Sequence, residues 1–169
     1  NKNENSIDMG LFLNGLPILT MELKNQLTGQ NIKHSENQYK NDRDYKEPLL
    51  QFKRCMVHFC VDNNKVSMTT RLSGSKTFFL PYNQDLENPP VGNGYRTKYL
   101  WEQILTPTSL LDIIESFVHL SKEKDFFFND KTQKIDTKIK EVLIFPRYHQ
   151  LDLIRKFRGQ LKVDGPGKN

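Results

Sequence analysis

Cysteine is scarce: Cys55 and Cys60 are the only two among 169 residues. Five apart in a stretch that reads as a strand, they would face opposite sides. That argues against a bond between them and for two buried thiols in a reducing, cytoplasmic setting. There is no C-x-x-C or H-x-x-x-H spacing, which excludes the common structural zinc frameworks; His58, alone in an apolar run, reads as a hydrogen-bonded core residue. No apolar run reaches the roughly 18 residues of a transmembrane helix, and no secretory leader is visible, so no membrane partner is expected. No G-x-x-x-x-G-K-[ST] phosphate-binding loop occurs, so ATP hydrolysis is not expected of these residues. Acidic residues number 20 against 25 basic ones, and the net charge of +5 suits a polyanionic partner, modestly.

What is present centres on residues 8–24, where two apolar runs flank Asn14-Gly15. Asn-Gly is the strongest short hairpin cue. Asp8 stands at the mouth of the first run, and Glu22 and Lys24 end the second. Residues two apart in a strand share a face, so Glu22 and Lys24 point the same way. A two-residue turn at Asn14-Gly15 sets Asp8 opposite Met21; a three-residue connection centred on Gly15 sets it opposite Glu22. The second register brings the carboxylates within about 5 Å of each other, an unfavourable pairing unless a cation sits between them. Hard oxygen ligands of this kind suit Mg²⁺. The expectation is Asp8 and Glu22 on one face with Lys24 beside them, through the three-residue connection.

Asp8…Glu22-x-Lys24 across a hairpin resembles the PD-(D/E)xK nuclease signature, with Ile7 in place of the signature proline. The longer string, residues 8–24, resembles the amino-terminal nuclease domain of type I restriction enzyme R subunits. Further matches follow in order: Asn37-Gln38-Tyr39-Lys40 with Asp42-Arg43-Asp44, Val57-His58-Phe59, Met68-Thr69-Thr70, and Phe145 through Gln150. The resemblance implies an α/β, restriction-endonuclease-like mixed β-sheet flanked by helices. It implies Asp8 and Glu22 as Mg²⁺ ligands with the Leu23 carbonyl as a third, and Lys24 as the residue that positions or activates water and stabilises charge on the phosphate. It makes double-stranded DNA and the modification and specificity subunits the partners, and ATP a cofactor of a motor beyond Asn169. Family members carry Gln-x-x-x-Tyr on the helix after the hairpin. Gln38 fits the glutamine, but Asp42 stands at the tyrosine position; Tyr39 and Arg43 are nearby, and Gln38 with Tyr39 are the supporting candidates. A metal-binding glutamate often precedes the first strand in this class, and Glu4 is the one acidic residue there. Arg147-Tyr148-His149-Gln150 resembles the glutamine motif of helicase-like motors, which implies adenine binding by Tyr148 and Gln150 in a longer enzyme. The implied division is a nuclease-like domain over 1–145 and a linker or motor start over 146–169. Asn1 and the closing Gly-Pro-Gly-Lys-Asn run read as the ends of a fragment.

For the rest of the chain, continuous apolar runs at 9–13 and 18–23 suit central strands buried on both faces. Ser35 is a possible cap of a helix over 33–46. Residues 55–61 read as a buried strand, Asp62-Asn-Asn-Lys65 as a hairpin turn, 65–71 as a half-exposed strand and 76–80 as a short one. Residues 81–97 are a Pro/Gly-rich loop, a surface excursion or a DNA contact. A helix over 98–105 is expected to anchor Trp101 in the core, and Ser109 to cap a second over 110–120 with Leu111, Ile114, Phe117 and Val118 inward. Phe126-Phe127-Phe128 reads as a buried strand, and 131–140 as a basic hairpin tip or linker. A final amphipathic helix over 149–161 would turn Leu151, Ile154, Phe157 and Leu161 inward.

Two functions compete: a Mg²⁺-dependent endonuclease that hydrolyses DNA phosphodiesters, and a non-catalytic DNA-binding or subunit-docking module on the same fold.

Overall fold

The computed structural model describes residues 6–130, 133–165 and 167; Glu4 and Lys131 lie outside them. The fold is mixed α/β. A five-stranded sheet runs β1 (Met9–Leu13), β2 (Leu16–Leu23), β3 (Val57–Val61), β4 (Val66–Thr69), β5 (Leu80–Pro81) in that spatial order. All neighbours are antiparallel except β2 and β3. That parallel pair requires a crossover, and residues 24–56 supply it, carrying α1 (Ile32–Asn37) and a π-helical turn over Gln38–Asp42. Beyond the sheet come a π-helical turn over Leu100–Ile104, α2 (Pro107–Ser116), a separate two-stranded hairpin of β6 (His119–Asn129) and β7 (Lys134–Ile144), and α3 (Tyr148–Asp164).

Alternation along β2 and β3 divides the core. Leu19 and Met21 join Val57, Phe59, Met68, Tyr82, Leu100, Ile113, Phe145 and Leu151 in the larger cluster. On the other face, Cys60 packs with Tyr39, Leu50 and Leu72 in the smaller one. Glu22 pairs with Cys60 and Thr20 with His58, so both polar residues of β2 share this second face. α1 lies against β2 and β3 and is docked by Ser35, whose hydroxyl donates to the Glu22 carbonyl at 2.8 Å.

Several expectations change. β1 is an edge strand, and Met9, Phe12 and Leu13 are exposed; an apolar run does not tell edge from centre. α1 is capped by Asn31, whose side chain accepts from Lys33 N at 3.0 Å, while Ser35 is buried inside it. β4 is buried throughout rather than half-exposed, because β3 and β5 flank it, Val66 and Met68 join the larger cluster, and Ser67 bonds to Glu36 of α1. Residues 76–80 form no strand beyond Leu80. α2 begins three residues early, with Thr106 as cap and Pro107 in the first turn, and Leu111 faces out. Trp101 is half-exposed rather than a core anchor. Phe126, Phe127 and Phe128 do lie in a strand but are exposed, because nothing among the described residues covers either face of the hairpin there. α3 buries Leu151 alone, with Ile154, Phe157 and Leu161 exposed. Cys55 and Cys60 are free and buried as expected, although Cys55 precedes β3 rather than lying in it. Burial pushes their thiols up to about 11 and about 12.

Candidate functional site

The β1–β2 hairpin sets the site. Asn14 (φ 49°) and Gly15 (φ 81°) form a two-residue turn with Leu13 opposite Leu16; positive φ at both central positions is what Asn-Gly supplies at least cost. Extended unbroken, that register would put Asp8 opposite Met21. It is broken between Leu11 and Phe12: Phe12 pairs with Pro17 and Leu11 with Leu19, which leaves Ile18 as a bulge. Met9 then pairs with Met21, and Asp8 comes level with Glu22. The expected juxtaposition holds, produced by a bulge and not by a three-residue turn.

Asp8 Oδ2 accepts from the Leu23 amide at 2.8 Å and lies 3.7 Å from Lys24 Nζ. The Lys24 side chain is largely buried, and its amide donates to the Val61 carbonyl at 2.8 Å, which fixes the strand end. Glu22 is fully buried. Its Oε1 accepts from Arg43 Nε at 2.6 Å, while Oε2 is buried with no hydrogen-bond partner. Burial outweighs the Arg43 bond, and with the nearby Asp8 charge it holds the Glu22 carboxyl above its ordinary range. Arg43 follows the π-helical turn, whose wider winding carries it round to the sheet; its amide donates to the Gln38 carbonyl at 3.0 Å.

Behind the carboxylates lies a buried polar chain. Tyr39 OH and His58 Nδ1 each lie 2.7 Å from Thr20 Oγ1. Burial lowers the His58 ring to about 4, which keeps it neutral at pH 7, and the Thr20 hydroxyl bridges the two side chains. His58 is thus the hydrogen-bonded core residue its setting predicts. Tyr39, fully buried, touches the site through Thr20, two residues before Glu22. Gln38 has a buried side-chain oxygen without a partner. Asp62 holds the frame: its Oδ1 accepts from the Asn64 and Lys65 amides at 2.7 Å, and its Oδ2 from Ile32 N at 2.9 Å. One buried carboxylate thereby joins the β3–β4 turn to the start of α1.

Residues 1–77 match the family described as type I restriction enzyme R protein N terminus. The similarity covers that stretch, a little under half of the chain. It spans the hairpin, the crossover and β3–β4, so every residue of the site just described lies inside it. No curated protein and no solved structure matches the chain.

The donor set fits a hard divalent cation. Two facing carboxylates, one with a buried unpartnered oxygen, are what Mg²⁺ takes when substrate and water complete its shell. No cluster of three or more His, Cys, Asp or Glu occurs among the described residues, so an all-protein cage is absent there. Leu23 contributes its amide to Asp8, which places its backbone at the site. Tyr148 and Gln150 lie elsewhere. Tyr148 OH accepts from Gln84 Nε2 at 3.0 Å with its ring edge-on to Tyr99, and Gln150 Oε1 accepts from Arg147 N at 3.1 Å as part of the α3 cap. Sequence reasoning left Arg43, Ser35 and Asp62 without site roles. The Asp-x-x-Lys turn pointed to Asp62; for Arg43, five residues after Gln38, helical periodicity gave no sign.

Among the described residues no helix is long and apolar enough to cross a membrane.

Proposed function

We propose that this domain is a Mg²⁺-dependent DNA endonuclease, the cutting module of a type I restriction R protein. The observation that carries the reading is Glu22: a fully buried carboxylate with one oxygen held by Arg43 and the other unpartnered, level with Asp8 and beside Lys24. Asp8 and Glu22 would hold the cation, with the Leu23 carbonyl as a third oxygen. The bound cation would polarise the scissile phosphoryl group and acidify water. Lys24, held near Asp8, orients the attacking water and faces the charge that develops on the phosphate. Gln38 and Tyr39 support from behind: Tyr39 through Thr20, and Gln38 with a free carbonyl oxygen at the same helical turn. Partners on this reading are double-stranded DNA and the modification and specificity subunits. ATP-driven translocation belongs to a motor elsewhere in the longer enzyme, where Tyr148 and Gln150 would meet adenine.

A non-catalytic docking module is favoured by one observation: the Arg43 bond already engages Glu22. Calorimetry separates the two. The wild-type chain should bind Mn²⁺ or Mg²⁺, and Asp8→Asn and Glu22→Gln should each abolish that binding. In the complete enzyme, Asp8→Ala, Glu22→Ala and Lys24→Ala should each abolish linearisation of circular DNA and leave ATP-driven translocation intact. The lysine loss is worth roughly 3 kcal/mol or more of transition-state stabilisation, by analogy with deleting one oxyanion donor. Wild-type cutting rates in the Glu22→Ala enzyme would sink the assignment.

A further inference from the structure

On its other side Lys24 opens onto a cleft of about 230 Å³ whose walls include Asn25, Asn63, Tyr95, Thr97 and Trp101. Its construction is rigid. The Asn63 amide donates to Asn25 Oδ1 at 3.2 Å, and Thr97 Oγ1 donates to the Asp62 carbonyl at 2.8 Å, clamping the Tyr95 loop to the end of β3. Trp101 rides on the π-helical turn whose Leu100 and Ile104 are buried, and the preceding Tyr99 donates from its hydroxyl to the Tyr82 carbonyl at 2.6 Å. Burial of those neighbours turns the indole outward; Trp101 is 47% exposed, and Tyr95 on the adjoining loop 48%. Irregular π turns recur at functional positions, and a large aromatic left in water on a rigid base is an apolar surface awaiting a flat ligand. Tyr95 also borders a neighbouring hollow that contains Arg96. Cations beside exposed aromatic rings are how single-stranded nucleic acid is held: phosphates on the charges, bases on the rings.

We propose that Trp101, with Tyr95 lining the same cleft, is a stacking platform for one unpaired nucleotide of the DNA strand whose scissile phosphate lies at Lys24. The inference rests on the nuclease reading above and adds to it: the strand is locally unpaired beside the cut, since a base inside a duplex cannot present its face to a ring.

Trp101 is the only tryptophan in the chain, so its fluorescence reports the site alone. The experiment titrates the chain, with Ca²⁺ replacing Mg²⁺, against a twelve-nucleotide oligothymidylate and against a blunt duplex of about the same length. The single strand should bind and quench Trp101, while the duplex quenches it little. Read by the anisotropy of a dye-labelled oligonucleotide, since both variants lack the fluorophore, Trp101→Ala should bind the single strand roughly ten- to a hundred-fold more weakly, and Trp101→Phe should keep most of the affinity. Binding without quenching, no binding at all, or equal affinity in Trp101→Ala overturns the platform; equal quenching by the blunt duplex overturns the unpaired nucleotide. Glu22→Gln isolates the underlying reading. If single-strand quenching persists in the wild type and in Glu22→Gln but neither binds Mn²⁺, the nuclease assignment fails while the platform stands.

Discussion

Arg43 and Glu22 form a nearly water-free ion pair, with side chains 8% and 0% exposed. Breaking such a pair from one side leaves a charge buried without a partner, at a cost of about 3–5 kcal/mol. Arg43→Ala should therefore lose stability on that scale in urea denaturation, and Arg43→Ala combined with Glu22→Gln should regain more than half of it, because the neutral amide no longer needs the cation. A loss below about 0.5 kcal/mol in the single variant would show that the pair contributes little. His58 gives a second residue-scale test. Its folded-state value, about 4, lies below the ordinary 6.5. A group with a depressed folded value contributes stability that is complete above the unfolded value and is lost as pH falls toward the folded one. Unfolding free energy should thus decline between about pH 6.5 and pH 4, by about 3 kcal/mol at the low end. His58→Gln should flatten that slope; an unchanged slope would mean that other groups carry it.

At the scale of elements, legibility followed periodicity and failed where periodicity breaks. Asp8, Glu22 and Lys24 could be placed on one face because a strand alternates strictly and Asn14-Gly15 demands a turn. The Ile18 bulge that sets their register leaves no sign in an apolar string. Arg43 was named without a role because the Gln38–Asp42 turn is π-helical, which shifts its direction from the one an α-helix gives. Runs such as 9–13 and 126–128 read as buried because apolar residues seek cover, yet Met9, Phe12, Leu13, Phe126, Phe127 and Phe128 face water. The β6–β7 hairpin makes that contrast measurable. It pairs only with itself, and near its base Lys53 bonds to Glu141 while Arg71 donates to the Glu141 carbonyl at 3.4 Å. A two-stranded ribbon is marginal by itself. Amides of residues 120–129 and 134–143 should exchange for deuterium well before those of β2 and β3, as mass spectrometry of quenched peptides can read; equal protection would show that the hairpin is held by more than its own ladder.

For the molecule as a whole, the order in which the chain finds itself follows from the parallel junction of β2 and β3. Each hairpin, β1–β2 and β3–β4, closes through a short turn and can form within microseconds. Their union cannot, because more than thirty residues of crossover must be gathered before Leu19 meets Val57. Asp8 and Lys24 are brought together by the first hairpin alone, but Glu22 receives Arg43 from the crossover, and Thr20 receives His58 from the second hairpin. A nascent or partly unfolded chain therefore holds half of the constellation and lacks the buried half. On the nuclease proposal, competence to cut would be a property of the finished sheet, and a chain degraded or stalled before that junction closes would be harmless to DNA.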